Sequence, residues 1–139
     1  FQKNAELNMT PSTPSIGHVN ALSSKLDEFF AEGLEARYQR HRRTNKMTRD
    51  WAARHGFVLF PEPGFESITL TCISNGARPG GRVVDVPKLQ KMVKEQGFLI
   101  DGGYGKIKGT TFRISNMGDE TDATMGQLFA AMDSAMKQI

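Results

Sequence analysis

Apolar residues along this chain follow two kinds of spacing, one typical of helices and one typical of strands, and the two do not alternate regularly. The order of the predicted helices and strands limits the fold more than any other feature. Apolar residues recur every three or four positions in four segments, which predicts helices. These segments are residues 16–32, 34–55, 85–96 and 119–139. Short apolar runs predict strands at residues 57–60, 67–74, 98–100 and 111–115. Because helices and strands do not alternate one for one, we predict an α+β fold, a two-layer sandwich whose small, mostly antiparallel sheet carries helices on one face.

Capping residues indicate where several of these helices begin and end. Ser15 is placed to cap the first helix and Asp85 the third, with Pro87 in the first turn of the latter. Gly56 and Gly97 follow the second and third helices as stop signals. The predicted inward face of the second helix consists of Leu34, Tyr38, His41, Met47, Thr48 and Trp51.

Length and composition describe one ordinary globular domain. The 139 residues are enough for a single core, and 38% of them are apolar. No apolar run approaches the roughly 18 residues of a membrane helix, and no hydrophobic leader is visible, so we expect a cytoplasmic protein. The single cysteine, Cys72, excludes a disulfide within the chain. No pair of histidines has the spacing of a helical metal site, so no bound metal is expected.

The second predicted helix carries a run of basic residues between positions 37 and 54. The run consists of Arg37, Arg40, His41, Arg42, Arg43, Lys46, Arg49 and Arg54. Such a run could contact nucleic acid, and the whole chain has a net charge of +3. A solvated helix face is the other interpretation. We favour it because no recognisable nucleic-acid motif accompanies the run.

The strand at residues 111–115 holds the most informative single side chain. A period of two puts Phe112 and Ile114 on one face and Arg113 on the other. If the apolar pair faces the helices, Arg113 projects from the open face of the sheet. Its planar guanidinium suits bidentate recognition of a carboxylate. A solvated strand arginine is the alternative.

Two further segments could approach a ligand. Residues 102–109 contain four glycines, but they connect two strands and lack a following helix N-terminus, so they predict a glycine-rich hairpin rather than a nucleotide loop. Thr10 and Thr13 offer hydroxyl groups that could bind a phosphate. The two threonines are nearly uninformative by themselves.

Three segments in combination are more specific than any of them alone. They are Thr-Pro-Ser-Thr-Pro-Ser-Ile at 10–16, Gly-Leu-Glu-Ala-Arg-Tyr-Gln-Arg-His-Arg at 33–42, and the stretch from 102 to 118 that contains Phe112-Arg113-Ile114. In this order and spacing, residues 8–139 resemble the C-terminal part of class V pyridoxal-phosphate aminotransferases. That family includes alanine–glyoxylate, serine–glyoxylate and serine–pyruvate aminotransferases. Residues 115–118 read Ser-Asn-Met-Gly, where many relatives read Gly-His-Met-Gly.

The resemblance implies roles for three residues and a division of the chain. Arg113 would bind the α-carboxylate of a small amino acid, alanine-like or serine-like, whose amino group passes to a 2-oxo acid such as glyoxylate or pyruvate. Thr13, and secondarily Thr10, would help to hold the phosphate of pyridoxal 5'-phosphate across a homodimer interface. Residues 1–14 would be an extended tether to the large domain or the partner subunit, and residues 15–139 the small domain.

The same resemblance implies that the catalytic lysine lies elsewhere. In the family, the lysine that carries the cofactor precedes the threonine-proline segment by a long distance, and Lys3 is too close to that segment to serve. We therefore expect a fragment that contains no catalytic residue and is inactive alone. A related lyase, such as a cysteine desulfurase, would carry a cysteine in a mobile loop, whereas Cys72 lies in a strand pattern. A purely structural dimerisation piece is a third possibility.

Overall fold

The computed structural model describes all 139 residues, which divide into two compact units, residues 1–37 and 38–139. The first contains α1 (Gln2–Glu6), α2 (Ile16–Glu32) and the first turn of α3 (Leu34–Arg54). Helix α1 is not among the predicted helices, because its five residues, Gln-Lys-Asn-Ala-Glu, are too few and too polar to show a repeated apolar spacing. None of the helices combines the length and the apolar composition needed to cross a membrane.

Helix α2 has the apolar stripe that the spacing predicts, yet most of this stripe is exposed. Ile16, Val19, Leu22 and Phe30 are each more than half exposed. At the end of the helix, Gly33 adopts a φ of +85°. These side chains are called the α2 apolar face.

The second unit is built on an antiparallel pair of strands, β1 (Leu70–Ser74) and β2 (Thr111–Ser115), with Cys72 opposite Arg113. The predicted outer strands are reduced to isolated bridges, Leu59 with Ile73 on one side and Asp101 with Arg113 on the other. The bounds of β2 match the prediction, whereas β1 begins three residues later than predicted.

Helices α4 (Val86–Glu95) and α5 (Asp122–Met136) complete this unit. The Asp85 side chain accepts a hydrogen bond from the Lys88 backbone N–H at 3.0 Å, which confirms the predicted cap. Helix α5 begins three residues later than predicted, because Thr121 and Thr124 cap its first turn reciprocally.

The core lies between the sheet and helices α3, α4 and α5, which confirms the α+β prediction. Trp51 of α3 is fully buried, and its ring stacks on Phe57 at 5.8 Å and on Phe129 at 6.0 Å. Its indole N–H donates to Asp133 Oδ1 at 2.7 Å. The other large, fully buried apolar side chains are Phe112, Ile73, Leu89, Ile114, Met125, Met132 and Val93.

The inward face of α3 differs from the predicted one. Leu34 is 48% exposed and Tyr38 is 53% exposed, so the prediction that they face inward is wrong. The polar Thr44 and Asn45 are buried instead. The reason is that Asn45 and Thr44 form buried hydrogen bonds with Thr71 and Asn116, and an apolar spacing cannot indicate such polar contacts.

Candidate functional site

Strand β2 places Arg113 on the sheet face opposite the helices. Its neighbours Phe112 and Ile114 are at most 1% exposed, while the Arg113 side chain keeps 27% of its surface exposed. The guanidinium is therefore held at its base by a packed strand and remains accessible at its end. This is the arrangement that the period-two spacing predicts.

Arg113 is paired with Asp101, a residue that the sequence reasoning missed. Arg113 Nε and Nη2 lie 3.0 Å and 2.8 Å from Asp101 Oδ1. The two backbones also bond in both directions, with Arg113 N–H donating to the Asp101 carbonyl at 2.7 Å and Asp101 N–H to the Arg113 carbonyl at 3.2 Å. The missing signal was the register of the two strands, because residues twelve apart in sequence become direct neighbours only once that register is known.

The glycine-rich turn after Asp101 forms the predicted hairpin connection. Gly103 N–H donates to Asp101 Oδ1 at 2.7 Å, and the chain then makes a 3-10 turn at Gly105–Ile107. Gly103 has a φ of +87°, and a Cβ atom there would lie 2.6 Å from Thr111 Oγ1. The turn therefore requires glycine at this position, for its dihedral angle and for its close approach to β2.

The Arg113–Asp101 pair lies in an open cleft with a volume of about 470 Å³. Leu70, Leu99 and Met117 supply apolar walls, and Leu99 is 81% exposed. A cleft of this size accommodates a small organic acid. Its polar lining consists of Arg113, Asp101 and Ser115, so an anion entering it meets one cation and one carboxylate.

Cys72 lies beside this pair, directly opposite Arg113 on β1. Burial raises the pKa of its thiol, and the hydrogen bond with Thr111 and the nearby Arg113 charge only partly offset this effect. The thiol is therefore protonated at neutral pH and a weak nucleophile. Cys72 lies in a hydrogen-bonded strand rather than a loop, so this position does not support the lyase alternative.

Thr10 and Thr13 lie in the first unit, between α1 and α2, and both are exposed. The Thr10 hydroxyl donates to the Ser12 carbonyl at 2.7 Å. Ser15 occupies the cap position of α2, but its hydroxyl contacts the His18 ring and accepts no hydrogen bond from a backbone N–H of the first turn. The Thr13 hydroxyl and the uncapped first-turn N–H groups are donors of the kind that bind a phosphate. Arg113 belongs to the other unit.

The basic run on α3 bonds extensively within the protein. Arg43 Nε lies 2.6 Å from Asp122 Oδ2, and Lys46 Nζ lies 2.6 Å from Asp50 Oδ2. The other bonded cations are Arg37 with Glu32, Arg40 with the carbonyls of Gly118 and Glu120, and Arg49 with the Ser67 carbonyl. His41 is buried. These contacts leave less positive charge for a nucleic acid than the sequence suggests.

Asn116 is a buried residue whose contacts are structural. It is 1% exposed, and its amide nitrogen lies 3.0 Å from the His41 carbonyl and 3.0 Å from Thr44 Oγ1. A third contact reaches the Ile68 carbonyl at 3.1 Å. Asn116 therefore joins α3 to the end of the sheet.

No protein-family model matches the chain. An uncharacterized aminotransferase of Methanocaldococcus jannaschii is 30% identical over 135 residues, which are 96% of this chain and 34% of the relative. The small subunit of a soluble hydrogenase of Synechococcus sp. is 27% identical over 140 positions, covering 100% of this chain and 35% of that subunit. Further relatives carry the names of transaminases that use pyruvate or glyoxylate.

Like most of these relatives, the solved structures that this chain resembles are aminotransferases. The alanine–glyoxylate aminotransferase of Nostoc sp. has a TM-score of 0.77 and 25% identity over 92% of this chain, which corresponds to 33% of that structure. The chain thus spans about a third of the length of the relatives it matches, namely their C-terminal portion.

Proposed function

Because this chain is homologous to the C-terminal portion of aminotransferases, we propose that it is the substrate-carboxylate-binding part of such an enzyme. The reaction would pass an amino group from a small amino acid, alanine-like or serine-like, to a 2-oxo acid such as glyoxylate or pyruvate. The remaining two thirds of the enzyme would carry the lysine that holds the cofactor.

The single observation that carries this proposal is the position of Arg113. Arg113 belongs to a packed strand, and its guanidinium lies in an open cleft with apolar walls. A fixed fork of donors binds a carboxylate through two parallel hydrogen bonds. Holding the carboxylate there would orient the bond between Cα and its hydrogen toward the reacting group, which accelerates the reaction through positioning.

The proposed cofactor is pyridoxal 5'-phosphate, and the residues of the first unit fit a contact with its phosphate. Thr13 offers a hydroxyl group beside the uncapped first turn of α2, and Thr10 would be a second contact. When bound, the cofactor supplies the electron sink that makes removal of the α-hydrogen feasible. The contribution of this chain would be to hold the phosphate and the substrate carboxylate in place.

Further assignments follow from the same homology and are also proposals. Residues 1–14 would be a tether to the large domain or to the partner subunit, and residues 15–139 the small domain. The enzyme would be a cytoplasmic homodimer of class V type. The α2 apolar face supports a covering partner, because four of its side chains are more than half exposed and contiguous exposed apolar surface usually marks an interface.

The proposed function is tested by substituting Arg113→Lys in the full-length enzyme. Lysine keeps the charge but loses the planar fork, so we expect the KM for the amino donor to rise about tenfold or more. Steady-state kinetics with alanine or serine as donor, pyruvate or glyoxylate as acceptor and added pyridoxal phosphate would measure it.

The matched control is Arg49→Lys, which changes the same side chain where it bonds only the Ser67 carbonyl outside the cleft. We expect this variant to keep the wild-type KM. An unchanged KM in Arg113→Lys would remove Arg113 from the site. A full-length enzyme that transaminates none of these donors would contradict the proposed function itself.

A further inference from the structure

The carboxylate of Asp101 is held by three donors from two groups, which distinguishes it from an ordinary surface ion pair. Its Oδ1 lies within hydrogen-bonding distance of Arg113 Nε, Arg113 Nη2 and the Gly103 N–H. Its backbone is bonded in both directions to Arg113. A side chain held at its base and at its end cannot follow a moving partner, so Asp101 sets the orientation of the guanidinium.

This pair is too exposed to serve mainly as a source of stability. The Arg113 side chain is 27% exposed and that of Asp101 is 52% exposed. Ion pairs in such surroundings are screened by water and contribute little to folding. A positional role accounts for the pair better than a stabilising one.

The contact of Asp101 leaves one edge of the guanidinium for a ligand. A guanidinium presents a side edge, made of Nε and Nη2, and an end edge, made of Nη1 and Nη2. Asp101 takes the side edge through bonds at 3.0 Å and 2.8 Å. A second carboxylate can therefore form a bidentate pair only at the end edge, in one orientation.

The charges and walls of the cleft also limit what that second carboxylate can belong to. Arg113 and Asp101 together are neutral, and the rest of the lining is Leu70, Leu99, Ile100, Ser115 and Met117. One substrate carboxylate satisfies the end edge. Within the lining that this chain supplies, a second carboxylate on the same substrate would meet no further cation and would be repelled by Asp101.

We propose that Asp101 is a positioning residue that holds the side edge of Arg113, so that the end edge accepts one carboxylate and the pair favours amino acids with a single carboxylate over those with two. This inference rests on the proposed function and adds a specificity determinant to it. Asp101 acts through Arg113 and does not itself touch the reacting atoms.

Two substitutions in the full-length enzyme distinguish the effect of Asp101 on the orientation of Arg113 from the effect of its negative charge. Asp101→Ala removes the acceptor, and the guanidinium becomes free to rotate, so the KM for alanine or serine rises about tenfold while kcat changes less than about threefold. Asp101→Asn keeps an oxygen acceptor but removes the charge. It lowers the preference in kcat/KM for alanine over aspartate by about tenfold, because the repulsion of the second carboxylate is lost.

The matched control is Asp50→Ala, which deletes the carboxylate of another exposed ion pair, with Lys46 on α3. This variant keeps the wild-type KM and donor preference. A wild-type KM in Asp101→Ala, or a fall in kcat alone, overturns the positioning role. If Asp101→Ala does not fold, the donor preference of Asp101→Asn decides, and an unchanged preference overturns the inference.

The failures of the two proposals are distinguishable. An unmodified enzyme without transaminase activity contradicts the proposed function. An active enzyme in which Arg113→Lys raises the KM and the Asp101 variants behave as wild type contradicts only the role of Asp101.

Discussion

Cys72 is a nucleophile whose reactivity the fold suppresses. The thiol is half-buried in β1, and burial raises its pKa above the ordinary value of 9.0. Because folding favours the protonated thiol, this contribution to stability is complete below pH 9.0 and is lost as the pH rises through the raised pKa. The residue therefore behaves as a small packed side chain under neutral conditions.

We expect alkylation of Cys72 by iodoacetamide to reach half its maximal rate above pH 9.0 in the folded protein and near the ordinary value in the denatured protein, because only the thiolate reacts. The measurement is a pH series of alkylation rates followed by mass spectrometry. Cys72→Ser is the control, since it removes the only cysteine. A midpoint at or below 9.0 in the folded protein would contradict the effect of burial.

Single side chains differ in how far the sequence can predict their surroundings. The face of β2 on which Arg113 lies follows from the two-residue period of a strand, and it was predictable. Its partner Asp101 was not, because the pairing depends on the register of two distant segments. Asn116 was noticed only as a departure from relatives, and its bonds to α3 follow from tertiary packing.

The hairpin from Asp101 to Thr111 is the element on which the cleft depends. Gly103 donates to Asp101 at one side of the turn, and Thr111 Oγ1 donates to the Ile107 carbonyl at 2.9 Å on the other. The turn therefore couples the position of Asp101 to the first residue of β2. A change in its backbone should disturb both the stability of the sheet and the orientation of Arg113.

Gly103→Ala tests this coupling. The new Cβ would lie 2.6 Å from Thr111 Oγ1 and 2.7 Å from the Ile107 carbonyl oxygen, at a φ of +87°. We expect a loss of about 2–4 kcal/mol in the free energy of unfolding, from the clash and the backbone strain together. Urea denaturation would measure it.

Gly105→Ala is the matched control for that substitution. Gly105 also has a positive φ, +53°, but a Cβ there meets nothing within 4 Å. It should cost only the strain of the left-handed conformation, about 1 kcal/mol. Equal losses in the two variants would show that the close approach to β2 does not matter.

Elements with long repeated spacings were predictable, and short ones at the sheet edges were not. The bounds of α3 and β2 agree closely with the spacing of their residues. The outer runs around Leu59 and Ile100 have strand composition but form only single bridges. A local apolar run does not indicate how many backbone hydrogen bonds it will form with the neighbouring strands.

At the scale of the whole molecule, several cations of the basic run between residues 37 and 54 are bonded within the protein. Arg43 and Lys46 face carboxylates, and Arg40 bonds two backbone carbonyls near the start of α5. The net charge is only +3. The pairing of Arg43 and Lys46 with carboxylates therefore lowers the positive charge that this helix can offer to a phosphate backbone.

We accordingly expect no binding tighter than about 10 µM to a short DNA duplex or single-stranded RNA at low salt, which fluorescence anisotropy would measure. Arg43→Glu, which reverses a charge on the same helix, serves as a comparison and should change nothing. Tighter binding that weakens steeply with added salt, and weakens further in Arg43→Glu, would restore the nucleic-acid interpretation.

The division into two units was the part of the architecture least open to prediction. The period of α2 predicted its apolar face correctly, but a period does not state what covers that face. The spacing of apolar residues indicates which side chains form this face and leaves its partner undetermined. The core of the second unit was more predictable, since its partners all lie within the sequence.

The Arg113–Asp101 pair also has a thermodynamic consequence. A free arginine side chain carries about 2 kcal/mol of rotamer entropy, and whichever process orders it must overcome that amount. Here the ordering accompanies folding, because both ends of Asp101 are fixed by backbone bonds. A carboxylate that enters the cleft would then meet donors that are already in place, whereas an arginine without such a partner would be ordered anew by every molecule that binds.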